Sequence, residues 1–438
     1  MSMDAPAKIN FFKGHPSNRL LPNNEIIKAT TELLTPQERP YDTQTKNRHP
    51  LTYGSDEGAL WVRNEICKFN NIIFNSNSNP DYLNLTSGAS YGILNLLLQT
   101  TLAHTNYTRQ AFIISPTYFL INDCFIDAGF GNGKLTAIDE LPQQNSIDFE
   151  TLQKKLTYFE SLQNCPNDKD CVVNKERILG KKIYKYVMYC VPTFANPSGM
   201  TFSQETKVKL IELARKYDML IICDDVYDIL HYDSEINIPK RLVHLDRETN
   251  LDPKSYGNTI SNATFSKIIA PGLRFGYQES INENLVRQLS KGGANISGGT
   301  PSQLNSMIVG TLLQNGDAIN IINNLKSVYS NRAMTLSNAI KLYLPKDTIF
   351  DTMKGGYFTW VTLPNGYNAK QIEQMLKEKY QVIMANGSNF EVIGDTRDWG
   401  TRSVRLSISF LEEDDIEEGI KLWGKICQEY AVEHGLTL

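Results

Sequence analysis

The chain has no uninterrupted apolar run approaching ~18 residues, so no stretch reads as a membrane-spanning helix. It has no basic excess either. Lys and Arg number 44 against 48 Asp and Glu, a net charge of −4, which leaves no electrostatic footprint for nucleic acid. The first residues carry Asp4, Pro6 and Lys8 and no apolar core, so a secretory signal is not expected. Cysteines are few and odd in number, seven in 438 residues. Cys190 and Cys223 lie in apolar runs, as reduced, buried thiols of a cytoplasmic protein would. Cys165 and Cys171 share a polar stretch, but their spacing and the lack of nearby histidine do not make a zinc site, and no metal is expected.

What is present is ordinary globular composition, 41% hydrophobic and 21% charged, with no internal repeat. Short apolar or β-branched runs at 82–85, 111–115, 186–191, 220–223 and 259–265 predict strands. Between them 91–102 and 204–217 predict helices, the second with Ser203 as N-cap. This alternation predicts an α/β domain whose mostly parallel, seven-stranded sheet lies between helices. From about residue 301 the pattern changes to long helices at 301–312 and 318–344, strands at 357–363 and 404–409, and a last helix near 414–430. The expected organisation is an N-terminal arm and part of a small domain in 1–47, a large domain in 48–300, and an interdomain helix with a small α+β domain in 301–438. Residues 161–182 are polar and irregular and suit a surface insertion. The acidic run from Glu412 to Glu418 suits the first turn of the last helix. Gly129 to Gly133 hints at a dinucleotide loop, but no helical pattern follows, so a turn is expected.

The segment Thr264-Phe265-Ser266-Lys267-Ile268-Ile269-Ala270-Pro271-Gly272-Leu273-Arg274 carries the most chemistry. A lysine amine attacks carbonyls only when deprotonated, and apolar burial or a nearby cation lowers its pKa. Thr264 and Ser266 supply hydroxyls, and Arg274 can fork onto a phosphate. An amine beside a dianion clamp is what pyridoxal 5'-phosphate (PLP) requires. Asp224 follows an apolar strand and could keep a pyridine nitrogen protonated, while Tyr227 could hydrogen-bond a ring phenolate. Gly88, Ala89 and Ser90 end one strand and open a helix, where free N–H groups form an anion site. Tyr118 follows another strand and could stack on a ring. Arg405 sits in an alternating strand and offers a planar fork for a carboxylate. Ser90 also lies in G-x-S-x-G, the nucleophile elbow of serine hydrolases. That rival needs a later histidine; His104, His231, His244 and His434 are available, and it leaves Lys267 unexplained.

These segments, in this order and over nearly the whole chain, resemble the fold-type I PLP enzymes of the aspartate aminotransferase superfamily. Within it they look most like the 2-aminoadipate and kynurenine aminotransferase branch, in a fungal version. The resemblance implies that Lys267 holds PLP as a Schiff base and that Asn196 in Asn-Pro-Ser-Gly adds a hydrogen bond to the cofactor phenolate. It implies that Tyr53, in Tyr-Gly-x-x-x-Gly, reaches the phosphate of a neighbouring subunit, giving a homodimer with shared sites. Arg405 would take the substrate α-carboxylate, and Arg63 would be structural. Gly14-His15-Pro16 followed by Pro22 resembles the branch's N-terminal Gly-Leu-Pro segment. The branch's glutamine near the phosphate loop is Ser90 here, and most of an N-terminal helix that closes over the substrate side chain is expected to be missing, with no DNA-binding domain ahead of it. Gly14, His15 and Arg19 are then expected at the pocket mouth, Arg19 as partner for a side-chain carboxylate. The activity implied is transfer of an amino group from an L-amino acid, such as 2-aminoadipate or an aromatic or medium-sized one, to 2-oxoglutarate. Another PLP reaction, such as C–S β-elimination, would use the same residues.

Overall fold

Six strands of the large sheet are buried at every residue, because both faces of that sheet are covered. In this computed structural model, which describes residues 8–35, 41, 45–131, 133–162, 180–232, 238–300, 302–395 and 397–436, a short parallel pair joins β1 (Ile9–Asn10) to a segment near the C-terminal third. The large sheet contains β2 (Leu83–Thr86), β3 (Gln110–Ser115), β4 (Leu135–Leu141), β5 (Ser146–Ile147), β6 (Tyr186–Cys190), β7 (Met219–Asp224), β8 (Thr259–Thr264) and β9 (Gly276–Glu279). Their order is β2-β9-β8-β7-β6-β3-β4-β5, eight strands where seven were expected, the eighth being the two-residue β5. Strands β4, β3, β6, β7 and β8 are mutually parallel, while β9, β2 and β5 pair antiparallel to their neighbours. Because β9 reverses direction between β8 and β2, β2 again points the same way as β8.

Alternation along the strands feeds two cores. Ala111, Ile113, Val187, Leu220 and Ile222 face one, with Ile93, Leu96 and Leu97 of the helix Ala89–Thr100. Phe112, Ile114, Met188, Ile221 and Cys223 face the other, with Leu210, Ile211 and Ala214 of the helix Gln204–Tyr217. The second helix is capped as its sequence implies, the Thr206 N–H donating to Ser203 Oγ at 3.1 Å.

A second, antiparallel sheet has the order β10-β11-β14-β13, from β10 (Ile349–Phe350), β11 (Phe358–Thr362), β13 (Ala385–Asn386) and β14 (Ser403–Ser407); β12 (Val382–Ile383) is the partner of β1. The long helices Asp317–Tyr343 and Glu413–His434 pack together behind it, the latter with Glu413, Asp414 and Asp415 in its first turn. The N-terminal segment runs along this sheet: the Ser407 N–H donates to Phe11 O and the Ser17 N–H to Ser409 O. A helix then follows at Asn23–Leu34. Arg63 is structural, its Nε donating to Gly58 O at 3.1 Å from a fully buried position. Among the described residues the five cysteines are free, and no helix is long and apolar enough to cross a membrane. Most of the polar 161–182 stretch, including Cys165 and Cys171, lies outside the described residues.

The turn bearing Tyr53 depends on Gly299. Its φ of +72° and ψ of −161° suit glycine alone, and a Cβ there would lie 1.8 Å from Gly54 O. Gly316 also has positive φ, +84°, but a Cβ would meet nothing within 4 Å. Gly299→Ala should therefore lose roughly 2 kcal/mol or more, and Gly316→Ala only about 1 kcal/mol. Urea midpoints of the two variants check this; equal losses would mean the Gly54 contact relaxes freely.

Candidate active site

The parallel strands and β2 all end on one side of the large sheet, where ligands of such sheets bind. Gly88 follows β2, Tyr118 follows β3, Asn196 follows β6, Asp224 closes β7 and Lys267 follows β8. One cavity of about 430 Å³ gathers them: its lining includes Ala89, Ser90, Tyr118, Asn196, Asp224, Tyr227, Thr264, Ser266, Lys267, Arg274 and Arg405, with Phe12 to His15 from the N-terminal segment. Gly88 abuts it, since a Cβ there, at φ +90°, would lie 2.9 Å from Arg274 Nη2.

Lys267 is the centre. Its Nζ donates to Gly14 O at 3.0 Å and stands between the rings of Tyr227 and Tyr357, 5.9 and 5.7 Å from their centroids. Burial pulls its pKa down to about 8; Asp224 opposes that and Arg405 and Arg274 assist it. The amine is thus available near neutrality. Its backbone is held as well, Tyr357 Oη donating to Lys267 O at 2.7 Å.

Asp224 is buried, and burial raises its pKa against hydrogen bonds from Asn262 and Tyr189 and the charge of Lys267. Asn262 Nδ2 donates to Oδ1 at 2.9 Å and Tyr189 Oη to Oδ2 at 2.8 Å. Asn196 bonds the Tyr227 hydroxyl, which burial pushes well above its ordinary range, and its Oδ1 accepts from Arg405 Nη1 at 3.2 Å.

Arg405 has an unusual setting for a guanidinium: 3% exposed, it lies over the rings of Phe358, Phe390 and Phe12 at 4.3, 4.9 and 5.4 Å. Its Nη2 donates to Phe12 O at 2.5 Å, its Nε is buried without a partner, and no carboxylate of the described residues pairs with it. Burial lowers its pKa to about 10. A buried cation with an unused donor fits an incoming carboxylate.

Across the cavity, Arg274 takes an αL conformation at φ +49° and spends only Nη1 on a protein carbonyl, Pro271 O at 2.9 Å. With the Gly88–Ser90 backbone at a helix N-terminus and the Thr264 and Ser266 hydroxyls, 2.9 Å apart, it forms a cradle of donors that a phosphate fits. The close approach of Arg274 to Gly88 is possible because no Cβ intervenes. The residues present therefore fit PLP at both ends, a phosphate at this cradle and a pyridine nitrogen at Asp224.

The structure does not bring two nominated residues to the cavity. Arg19 is 60% exposed and paired with Glu412, the same carboxylate that takes Arg332 Nη2 at 2.8 Å. Tyr53 is 80% exposed on this single chain and lies beside Gly298. The hydrolase reading needs a histidine after Ser90, and none reaches the cavity that Ser90 lines: His231 bonds Lys326, His244 faces Glu279, His434 stacks on Tyr430, and neither these nor His104 line it.

Sequence reasoning missed Tyr189 and Asn262, polar side chains inside strands it had identified. The signal was available, because Asn262 is the register partner of Asp224. It also missed Lys13, Phe358 and Glu140. Glu140 lies buried on β4, and its carboxyl is bonded by Ser198 in the turn that carries Asn196.

A family model described as aminotransferase class I and II matches residues 8–421. The Saccharomyces cerevisiae protein YER152C, described as uncharacterized, is 59% identical over 443 residues, 98% of this chain and 99% of that one. The 2-aminoadipate transaminase of Thermus thermophilus is 28% identical over 421 residues, 96% of this chain and 90% of that one. The multiple substrate aminotransferase of Thermococcus profundus superposes with a TM-score of 0.76 at 24% identity, covering 98% of this chain and 93% of that one. LysN, the α-aminoadipate aminotransferase of T. thermophilus, solved with N-(5'-phosphopyridoxyl)-L-leucine, gives 0.73 at 21%, covering 97% and 93%. At these identities the solved structures speak to the fold.

Burial pushes the Glu140 carboxyl up to about 8 from an ordinary 4.5, with only Ser198 opposing. A folded pKa above the unfolded one means stability that is fully present below the unfolded value and lost as pH rises toward the folded value. The native chain should thus lose stability relative to Glu140→Gln between about pH 5 and about pH 8. Urea melts of both proteins across that window check it; a pH-independent difference would mean that folded Glu140 is already ionised throughout the window.

Proposed function

The chain belongs to the class I and II aminotransferase family and uses pyridoxal phosphate, and on that premise we propose that it transfers the amino group of an L-amino acid, 2-aminoadipate or an aromatic one, to 2-oxoglutarate. One observation carries the reading: a single cavity holds an amine of lowered pKa, a buried carboxylate and a buried arginine without an acid partner. Relatives named for 2-aminoadipate and for aromatic amino acids support the substrate range.

When bound, the cofactor supplies a carbonyl for imine exchange and a ring that accepts electrons from the substrate Cα. The chain does the rest. Arg405 orients the substrate by its α-carboxylate, gaining the partner its Nε lacks. Lys267 Nζ moves the Cα proton, first as base and then as acid. Asp224, fixed by Tyr189 and Asn262, is the carboxyl that would hold a proton on the pyridine nitrogen, and those two donors favour its ionised form against burial. Tyr227 and Asn196 would hydrogen-bond the cofactor phenolate. Arg274, Thr264, Ser266 and the Gly88–Ser90 backbone hold the phosphate, and the exposed Tyr53 of a second copy reaches it in a cytoplasmic homodimer.

Borohydride should fix PLP on the Lys267 peptide and nowhere else. The rate of PLP capture by the stripped protein should climb with pH as the amine loses its proton through about 8, then level off. Arg274→Ala should weaken PLP binding ~10- to 100-fold, the loss of a charge-assisted pair. Turnover of 2-aminoadipate, kynurenine and phenylalanine should require 2-oxoglutarate. Product release beyond one equivalent per site without any oxo-acid acceptor would instead indicate an elimination, and a fully active monomer would remove Tyr53 from the site.

A further inference from the structure

The cavity has one cation too many. Lys13, Lys267, Arg274 and Arg405 line it, and Asp224 is its one lining carboxylate. The proposed function, on which this inference rests, uses Lys267 for the chemistry, Arg274 for the phosphate and Arg405 for the α-carboxylate. Lys13 is left. Its ammonium stands 3.8 Å from the centroid of the Phe410 ring, and no carboxylate of the described residues pairs with it. An ammonium that rests on an aromatic face, with no described carboxylate paired to it, is cheaply released to an incoming anion.

The position of Lys13 is fixed relative to Arg405. Ser409 Oγ donates to Lys13 O at 3.3 Å, Arg405 Nη2 donates to Phe12 O at 2.5 Å, and the Ser407 N–H donates to Phe11 O at 3.1 Å. The backbone on both sides of Lys13 is therefore bonded to the strand that carries Arg405 and to its extension. On the other side Gly14 O accepts from Lys267 Nζ at 3.0 Å. Two cations on one rigid unit, with the reacting amine beside them, match a substrate with two carboxylates.

We propose that Lys13 is the side-chain subsite of this cavity and binds the distal carboxylate of dicarboxylic amino and oxo acids, while Phe410 parks its ammonium when an apolar or aromatic substrate is present. This gives a mouth that accepts both classes but favours the acidic one. Arg19, the arginine that sequence alone suggested for this task, is engaged by Glu412 outside the cavity.

The test compares the native holoenzyme with Lys13→Met and Lys13→Arg. Lys13→Met should lower kcat/KM for 2-aminoadipate and glutamate ~10- to 100-fold and change norleucine and phenylalanine less than ~3-fold, with Lys13→Arg restoring most of the loss. Calorimetry on the holoenzyme with two unreactive probes gives a second readout. Glutarate should bind the native protein more tightly than valerate, and Lys13→Met should erase that preference. Equal losses for all four donors, or a glutarate preference that survives Lys13→Met, would overturn the subsite. Should the native enzyme transaminate none of these donors, the reaction reading fails, and the glutarate comparison still decides the subsite on its own.

Discussion

The cavity is organised around one buried carboxyl, Asp224. Asp224 sits among lysine and arginine side chains in a place that, by burial alone, would neutralise it. Tyr189 and Asn262 aim donors at its two oxygens, and these bonds favour the ionised form against burial. That charge then acts on Lys267. Burial and two guanidiniums drive the lysine toward the neutral amine, and Asp224 alone holds it back. The amine ends near 8, below the ordinary 10.5, because burial and the two guanidiniums outweigh that one opposing charge. Loss of either donor to Asp224 would thus reach the amine without touching it.

The sheet supplies the geometry that such a balance needs. Asp224 and Asn262 are register partners on β7 and β8, so their spacing is fixed by backbone hydrogen bonds rather than by flexible side chains. Tyr189 comes from β6, the next strand over. Lys267 leaves β8 only three residues after Thr264. The cluster is therefore built at the rigid edge of the most buried part of the molecule, and the loops contribute only the groups that must meet ligand.

Much of this was legible in the sequence, and the exceptions have physical causes. The strands Gln110–Ser115, Tyr186–Cys190 and Met219–Asp224 are buried on both faces and read as continuous apolar runs. Leu135–Leu141 escaped because it is only half covered and carries Asp139 and Glu140. Gly276–Glu279 escaped because its buried side chains are polar: Gln278 bonds Asn262, and Glu279 is held by Arg247 at 2.7 Å and faces His244. Hydropathy cannot distinguish a satisfied polar strand from a loop. The lysine, the aspartate and Arg405 stood out because each ends or interrupts an apolar run. Arg19 stands near Gly14 along the chain, which is what points to it, but Glu412, almost four hundred residues away, takes it. Lys13 drew no attention because nothing local marks it; only the pairing of the N-terminal segment with the small sheet brings it to the cavity.

That pairing divides the site by origin. The groups proposed to move protons and hold the phosphate come from the ends of the large sheet, whereas the cavity wall from Phe12 to His15, proposed to face the substrate side chain, is a strip attached through its backbone. Backbone attachment is indifferent to side-chain identity. Substitutions at Lys13 or His15 can then accumulate without disturbing Asp224 or Lys267, so a duplicated copy of this gene could drift toward new substrates while its chemistry stays intact. The strip is where divergence within such a lineage would be least costly and most consequential.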